Sequence, residues 1–178
     1  MKTAKEIQEI AKGIKILILD VDGVLTDGRI VLDNEGNELK AFHVRDGHGI
    51  RMLIKAGLRV AIISGRQSRV VERRAHELGI TDVYQRCHSK TAALDDLARK
   101  YGFSDGEVAY MGDDIVDVPI LKRAGLAIAV GDASDEAKDH AVMVTKNRGG
   151  KGAVREVCDF LLRATDLWEP VAREYFEA

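Results

Sequence analysis

A run of four apolar residues, Ile16-Leu17-Ile18-Leu19, ends abruptly in Asp20-Val21-Asp22-Gly23. Residues two apart on an extended chain face the same side. Asp20 and Asp22 therefore project together where a buried strand gives way to a glycine turn, the kind of strand end at which open α/β sheets bind ligands. Two carboxylates held close repel unless a cation lies between them or one takes up a proton. Three more segments place polar groups in the same way. Val60-Ala61-Ile62-Ile63 runs into Ser64-Gly65-Arg66, Lys90 opens a helical pattern, and Val108-Ala109-Tyr110-Met111 runs into Gly112-Asp113-Asp114. Carboxylates with room left for water and phosphate suit Mg2+. A carboxylate can attack phosphorus to form an acyl phosphate, and a lysine and a metal neutralise charge on the group in transit. Together these residue types point to phosphoryl transfer.

The elements that must position these groups alternate between strands and helices. Strands are predicted at Ile14–Leu19, Arg59–Ile63, Val83–Tyr84, Val108–Met111, Leu126–Val130 and Ala141–Val144. Helices are predicted at Gly49–Ala56, Ser68–Leu78, Thr91–Tyr101, Val116–Ala124 and Ser134–Lys138, with a packing helix over 153–163 carrying Val154, Val157, Phe160 and Leu161. That order predicts an α/β fold with a doubly wound, Rossmann-like parallel sheet and right-handed crossovers. A helix start after Ser64 would offer free N–H groups to a phosphate. One segment breaks the alternation: Arg29–Leu32 and Glu38–Val44 flank Asp33-Asn34-Glu35-Gly36-Asn37 and read as a β-hairpin. Placed directly after the Asp20/Asp22 strand, it should stand over the crevice as a flap spanning about 28–44. No stretch is left for a separate cap, and the expectation is one uncapped domain over residues 1–178.

Composition narrows the partners. At 178 residues, 46% hydrophobic and 31% charged, the chain reads as an ordinary globular domain, and its net charge of −2 gives no footprint for nucleic acid or an anionic membrane. The N-terminus lacks a signal-peptide pattern, no apolar run reaches the ~20 residues of a membrane span, and the two cysteines, Cys87 and Cys158, fit a reducing compartment. A cytoplasmic location is expected.

Asp20-x-Asp22-Gly23, Ser64-Gly65-Arg66, Lys90 and Gly112-Asp113-Asp114 resemble, in order, the four motifs of the haloacid dehalogenase-like phosphatases, and the likeness extends over nearly the whole chain. Within that superfamily the chain is most similar to the small uncapped 3-deoxy-D-manno-octulosonate 8-phosphate phosphatases. That likeness lies in His43-Val44-Arg45-Asp46-Gly47-His48-Gly49-Ile50, Arg73-Arg74-Ala75-His76-Glu77-Leu78-Gly79 and Gly149-Gly150-Lys151-Gly152-Ala153-Val154-Arg155-Glu156. The resemblance implies Asp20 as nucleophile and Asp22 as general acid and then base. It implies Mg2+ held by Asp20, the Asp22 backbone carbonyl and Asp113, with the phosphoryl group on Ser64 and Lys90. Substrate contacts are implied at Asp22, His43, Val44, Arg45, Asp46, Gly47, Arg51, Arg66, Arg74, Lys90 and Asp114, and Asp117 should orient the metal shell. Arg66 and Arg74, eight apart, are expected to share a face toward an acidic sugar phosphate. The pattern departs at Gln85-Arg86, where many relatives place Gly after the Gln. A homotetramer is also implied. The apolar tail Leu167, Trp168, Val171, Tyr175 and Phe176, interrupted by Pro170, would reach a neighbouring site or else fold back on its own domain.

Two other readings compete. A phosphatase for N-acylneuraminate 9-phosphate or a related sugar phosphate would share every motif. A non-enzymatic phospho-receiver domain also carries paired aspartates and a lysine, but there the lysine comes last, whereas here Asp113-Asp114 follows Lys90.

Overall fold

The computed structural model describes residues 2–177. Its centre is a six-stranded, all-parallel sheet in the order β5-β4-β1-β6-β7-β8. The strands are β1 (Ile16–Leu19), β4 (Arg59–Ile63), β5 (Asp82–Tyr84), β6 (Val108–Gly112), β7 (Leu126–Ala129) and β8 (Met143–Val144). Strands buried on both faces read as continuous apolar runs; all four residues of β1 and β7 are buried, as are all five of β6. From β1 the chain winds outward through β4 to β5, then crosses back to place β6 on the other side of β1. The order reverses beside β1, and that switch point is where a ligand crevice forms.

The helices are α1 (Ala4–Lys12), α2 (Val44–Lys55), α3 (Arg69–Leu78), α4 (Lys90–Tyr101), α5 (Val118–Leu121), α6 (Asp135–Asp139), α7 (Ala153–Ala164) and α8 (Trp168–Phe176). α1 lay outside the expected elements. A capping box starts it: Thr3 Oγ1 accepts from the Glu6 amide while Glu6 accepts from the Thr3 amide. The hairpin is present as β2 (Val31–Leu32) paired antiparallel with β3 (Glu38–Leu39). Its arms are shorter than expected, because α2 begins at Val44 and not at Gly49. The expected helix Val116–Ala124 divides into a 3-10 turn over Ile115–Asp117 followed by α5, with Pro119 in the first turn.

The tail resolves as a separate helix. α7 ends at Ala164, Pro170 sits in the first turn of α8, and Val171 and Ala172 are buried against this chain. Tyr175 meets the His48 ring edge-on at 4.9 Å. The tail thus folds back on its own domain, leaving Phe176 77% exposed.

Candidate active site

Every strand end at the switch point contributes to one cleft of 460 Å3, lined by Asp20, Asp22, Ser64, Arg66, Lys90, Asp113 and Asp114 among others. Asp20 continues β1, its amide donating to the Met111 carbonyl at 3.1 Å. Three residues on, the chain turns sharply: Gly23 has φ of +90°, and a Cβ there would lie 2.0 Å from Asp113 Oδ2. Only glycine lets the loop after β1 pass this close to the acids after β6. The loop is backed by Gly149, where a Cβ would fall 1.6 Å from the Gly23 carbonyl oxygen.

Lys90 is the electrostatic centre. It is the first residue of α4, with Ser89 as N-cap, and its side chain is 7% exposed. Its Nζ lies 3.0 Å from Asp20 Oδ1 and donates to Asp117 Oδ1 at 2.6 Å. Burial alone would pull the ammonium pKa down, but the charges of Asp20 and Asp117 outweigh it and hold it above its usual value. Asp117 is fully buried, and its oxygens also accept from the Tyr110 hydroxyl, the Asp113 amide (2.9 Å) and the Asp114 amide (3.3 Å).

Oxygens of Asp20, Asp113 and Asp117 lie within 4.8 Å of one another. The donors already on Asp117 fit it for orienting the group, and they leave Asp20 and Asp113 with lone pairs to offer a metal. Burial first, then like charge, pushes Asp113 up to about 8; burial pushes Asp20 up to about 6 against the pull of Lys90. Three carboxylates against one ammonium leave an excess of negative charge, which suits a hard divalent cation such as Mg2+.

The flap supplies contacts that the spacing of motifs did not show. Lys40, just past β3, pairs with Asp22 Oδ1 and lies 3.2 Å from Glu38 Oε1. Arg66 donates to Glu38 Oε1 at 2.7 Å. Tyr110, on the strand preceding the Asp113-Asp114 pair, was equally invisible as a site residue. Nothing local marks it, because its partner Asp117 lies seven residues on, past the end of β6.

Other expected contacts lie elsewhere in this chain. His43 and Arg45 open onto a second cleft, of 520 Å3, with Lys151 and Arg155. Val44 is 80% exposed, and Asp46 is buried, its carboxylate accepting from the amides of Gly152 (3.2 Å) and Arg155 (2.8 Å) at the start of α7. Gly47 packs under Arg74, whose guanidinium donates to Glu77 at 3.2 Å, and Arg51 is exposed on α2. Arg66 and Arg74 do not share a helix face: α3 starts at Arg69, so Arg66 belongs to the loop at the cleft while Arg74 faces α2. That loop leaves its N–H groups free of a helix terminus, the Arg66 amide donating to Ser64 Oγ at 3.3 Å. Arg86 has φ of +55°, the left-handed region that explains why glycine suits this position.

The sequence profile of the haloacid dehalogenase-like hydrolases matches residues 79–157. The 3-deoxy-D-manno-octulosonate 8-phosphate phosphatase of Escherichia coli (strain K12) is 51% identical over 154 residues, covering 86% of this chain and 82% of that protein. Its counterpart from Yersinia pestis is 47% identical over 166 residues, covering 93% and 89%. Among solved structures, the Moraxella catarrhalis 3-deoxy-D-manno-octulosonate 8-phosphate phosphatase, in complex with magnesium ion, phosphate ion and KDO, superposes with a TM-score of 0.95. It is 40% identical and covers 97% of this chain and 99% of that one. A probable YrbI family phosphatase from Pseudomonas syringae superposes at 0.96, with 42% identity and 98% and 99% coverage. The chain belongs to the 3-deoxy-D-manno-octulosonate 8-phosphate phosphatase family of the haloacid dehalogenase-like hydrolases.

Proposed function

We propose that this chain hydrolyses 3-deoxy-D-manno-octulosonate 8-phosphate to the free sugar acid and phosphate, a step in making lipopolysaccharide precursors, with Mg2+ as cofactor. The observation that carries the reading is the meeting of Asp20, Asp113 and Lys90 at the switch point of a parallel sheet. Asp20 and Asp113, with the Asp22 carbonyl, would hold the metal. When bound, Mg2+ neutralises charge on the phosphoryl oxygens and aligns them for in-line attack.

The protein's own groups do the rest. A carboxylate oxygen of Asp20 attacks phosphorus, the phosphorus–oxygen bond to the sugar breaks, and Asp22 gives its proton to the departing oxygen. Asp22 then takes a proton from water as that water attacks the aspartyl phosphate, and Asp20 leaves as a carboxylate. Lys90 and Ser64 hold the phosphoryl oxygens. Lys90 also keeps Asp20 oriented through the Asp117–Tyr110 network.

The sugar end is proposed to be read across subunits, in a homotetramer. The flap exposes Ile30, Val31, Leu32 and Leu39 at 47–59%, an apolar surface suited to a second copy. His43, Val44, Arg45, Asp46, Gly47, Arg51 and Arg74, which do not reach their own cleft, would then lie near a neighbour's. Residues 1–178 would act as one catalytic domain in the cytoplasm; among the described residues no helix is long and apolar enough to cross a membrane. Phosphate release from a panel of sugar phosphates tests the reading. The acidic eight-carbon substrate should be preferred, with activity lost in chelator and restored by Mg2+; equal kcat/KM on glucose 6-phosphate, or full activity in chelator, would refute it.

A further inference from the structure

Lys40 is an unusual residue to find on a flap. Its side chain is 2% exposed although the hairpin around it is mostly solvent-facing, and it belongs to none of the four motifs. A buried ammonium is costly unless paired, and here both partners are carboxylates: Asp22, on the sheet side of the cleft, and Glu38, one pleat back on the flap itself. Arg66 closes the ring, donating to Glu38 at 2.7 Å with its Nε 3.7 Å from Asp22 Oδ2. Two acids and two cations alternate, two groups from the flap and two from the sheet edge.

The two oxygens of Asp22 are treated differently in this ring. Oδ1 is held by Lys40, whereas Oδ2 has only Arg66 beyond hydrogen-bonding distance. One oxygen is pinned and the other is left to the cleft. We propose that Lys40 is a positioning residue: it fixes the rotamer of Asp22 so that Oδ2 faces the leaving oxygen of the substrate and, in the second half-reaction, the attacking water. This rests on the reading of Asp22 as acid and base. Lys40 keeps its own protons throughout; the proton that moves is the one on Asp22. Because Lys40 rides on the hairpin, the acid is aligned only while the flap lies over the cleft and water is shut out. Raising the flap withdraws Lys40 and leaves Asp22 free to rotate.

The test compares full-length Lys40→Met, Lys40→Arg and Asp22→Asn with wild type on two substrates, the sugar phosphate and p-nitrophenyl phosphate. The aryl phosphate expels a phenolate that needs no proton, so kcat/KM on it is insensitive to the acid in the first step. General acid catalysis is worth about 10²–10⁴-fold, and a misdirected acid forfeits part of that. Lys40→Met should therefore lose at least about tenfold more kcat/KM on the sugar phosphate than on the aryl phosphate. Lys40→Arg, which keeps the charge and a donor, should recover most of the difference. A flap that had merely come loose would depress both substrates alike, and equal losses would overturn the proposal. If Asp22→Asn shows the selective loss and Lys40→Met does not, Lys40 is not positioning the acid. If Asp22→Asn itself shows no selective loss, the assignment of Asp22 fails, and the role of Lys40 falls with it.

Discussion

Replacing Asp113 by Asn removes one charge from the acidic end of the cleft, and its effect on stability should change sign with the metal. In the chain without metal, burial and then the charges of Asp20, Asp117 and Asp114 push the Asp113 carboxyl from 3.8 up to about 8. A folded-state pKa above the unfolded value means that the folded protein retains a proton the unfolded chain has lost. Stability is then greatest below the unfolded pKa and falls as pH rises from about 4 through about 8. Four units at about 1.4 kcal/mol each set a ceiling of about 5.5 kcal/mol. Asp113 is only partly buried, and solvent screening brings the working figure to about 2 kcal/mol near pH 8.5. For a chain of 178 residues that corresponds to a Tm difference of roughly 4–8 °C. Thermal melts followed by circular dichroism, in chelator and in excess Mg2+ at about pH 5 and about pH 8.5, read it directly. In chelator Asp113→Asn should melt above wild type at the higher pH, with the gap narrowing toward the lower. Mg2+ should stabilise wild type and leave the variant nearly unmoved. If the variant melts below wild type in chelator at high pH, or if Mg2+ raises both equally, the picture of repelling carboxylates awaiting a cation is wrong.

Tyr110→Phe deletes one donor to the buried Asp117 and should cost about 1–2 kcal/mol in urea unfolding, with a several-fold fall in kcat; unchanged kcat would remove Tyr110 from the Lys90 network. Gly149→Ala would drive a Cβ to 1.6 Å from the Gly23 carbonyl oxygen, so a loss of about 2–3 kcal/mol and of most phosphatase activity is expected; a stable, active variant would show that the loop after β1 yields freely. Asp46→Ala leaves the Gly152 and Arg155 amides without their acceptor, and thermal melts should register about 1–2 kcal/mol, an unaltered Tm being the contrary result.

The parallel, doubly wound sheet was legible because its central strands are short apolar runs that break into Asp20, Ser64 and Gly112, whereas the order of the strands came only from the structure. Asp20, Asp22, Ser64 and Asp113 could be picked out from that local pattern, and Lys90 from its place at the start of a helical one. The start of α2 did not follow from local pattern. The alternation of Phe42 and Val44 extended the predicted strand to Val44, whereas the first turn of the helix is held by Asp46 binding amides more than a hundred residues away. The placement of Arg74 likewise depends on its stacking over Gly47 of another helix, which a spacing of eight from Arg66 does not encode. Lys40 and Tyr110 carry no local mark of a site role, because their partners Asp22 and Asp117 are supplied by the tertiary fold. The start of α1 is local by contrast, set by the capping box of Thr3 and Glu6.

The central claim is that Asp20 becomes phosphorylated. Asp22→Asn turned over with a radiolabelled aryl phosphate should form the phosphoenzyme, whose leaving group needs no acid, and stall there without a base to activate water. Acid quench followed by borohydride reduction converts a phosphorylated aspartate to homoserine, which peptide mass mapping locates. The expected result is homoserine at residue 20 in proportion to trapped label. Label on another residue, or no acid-stable phosphoenzyme during continuing turnover, would contradict the account.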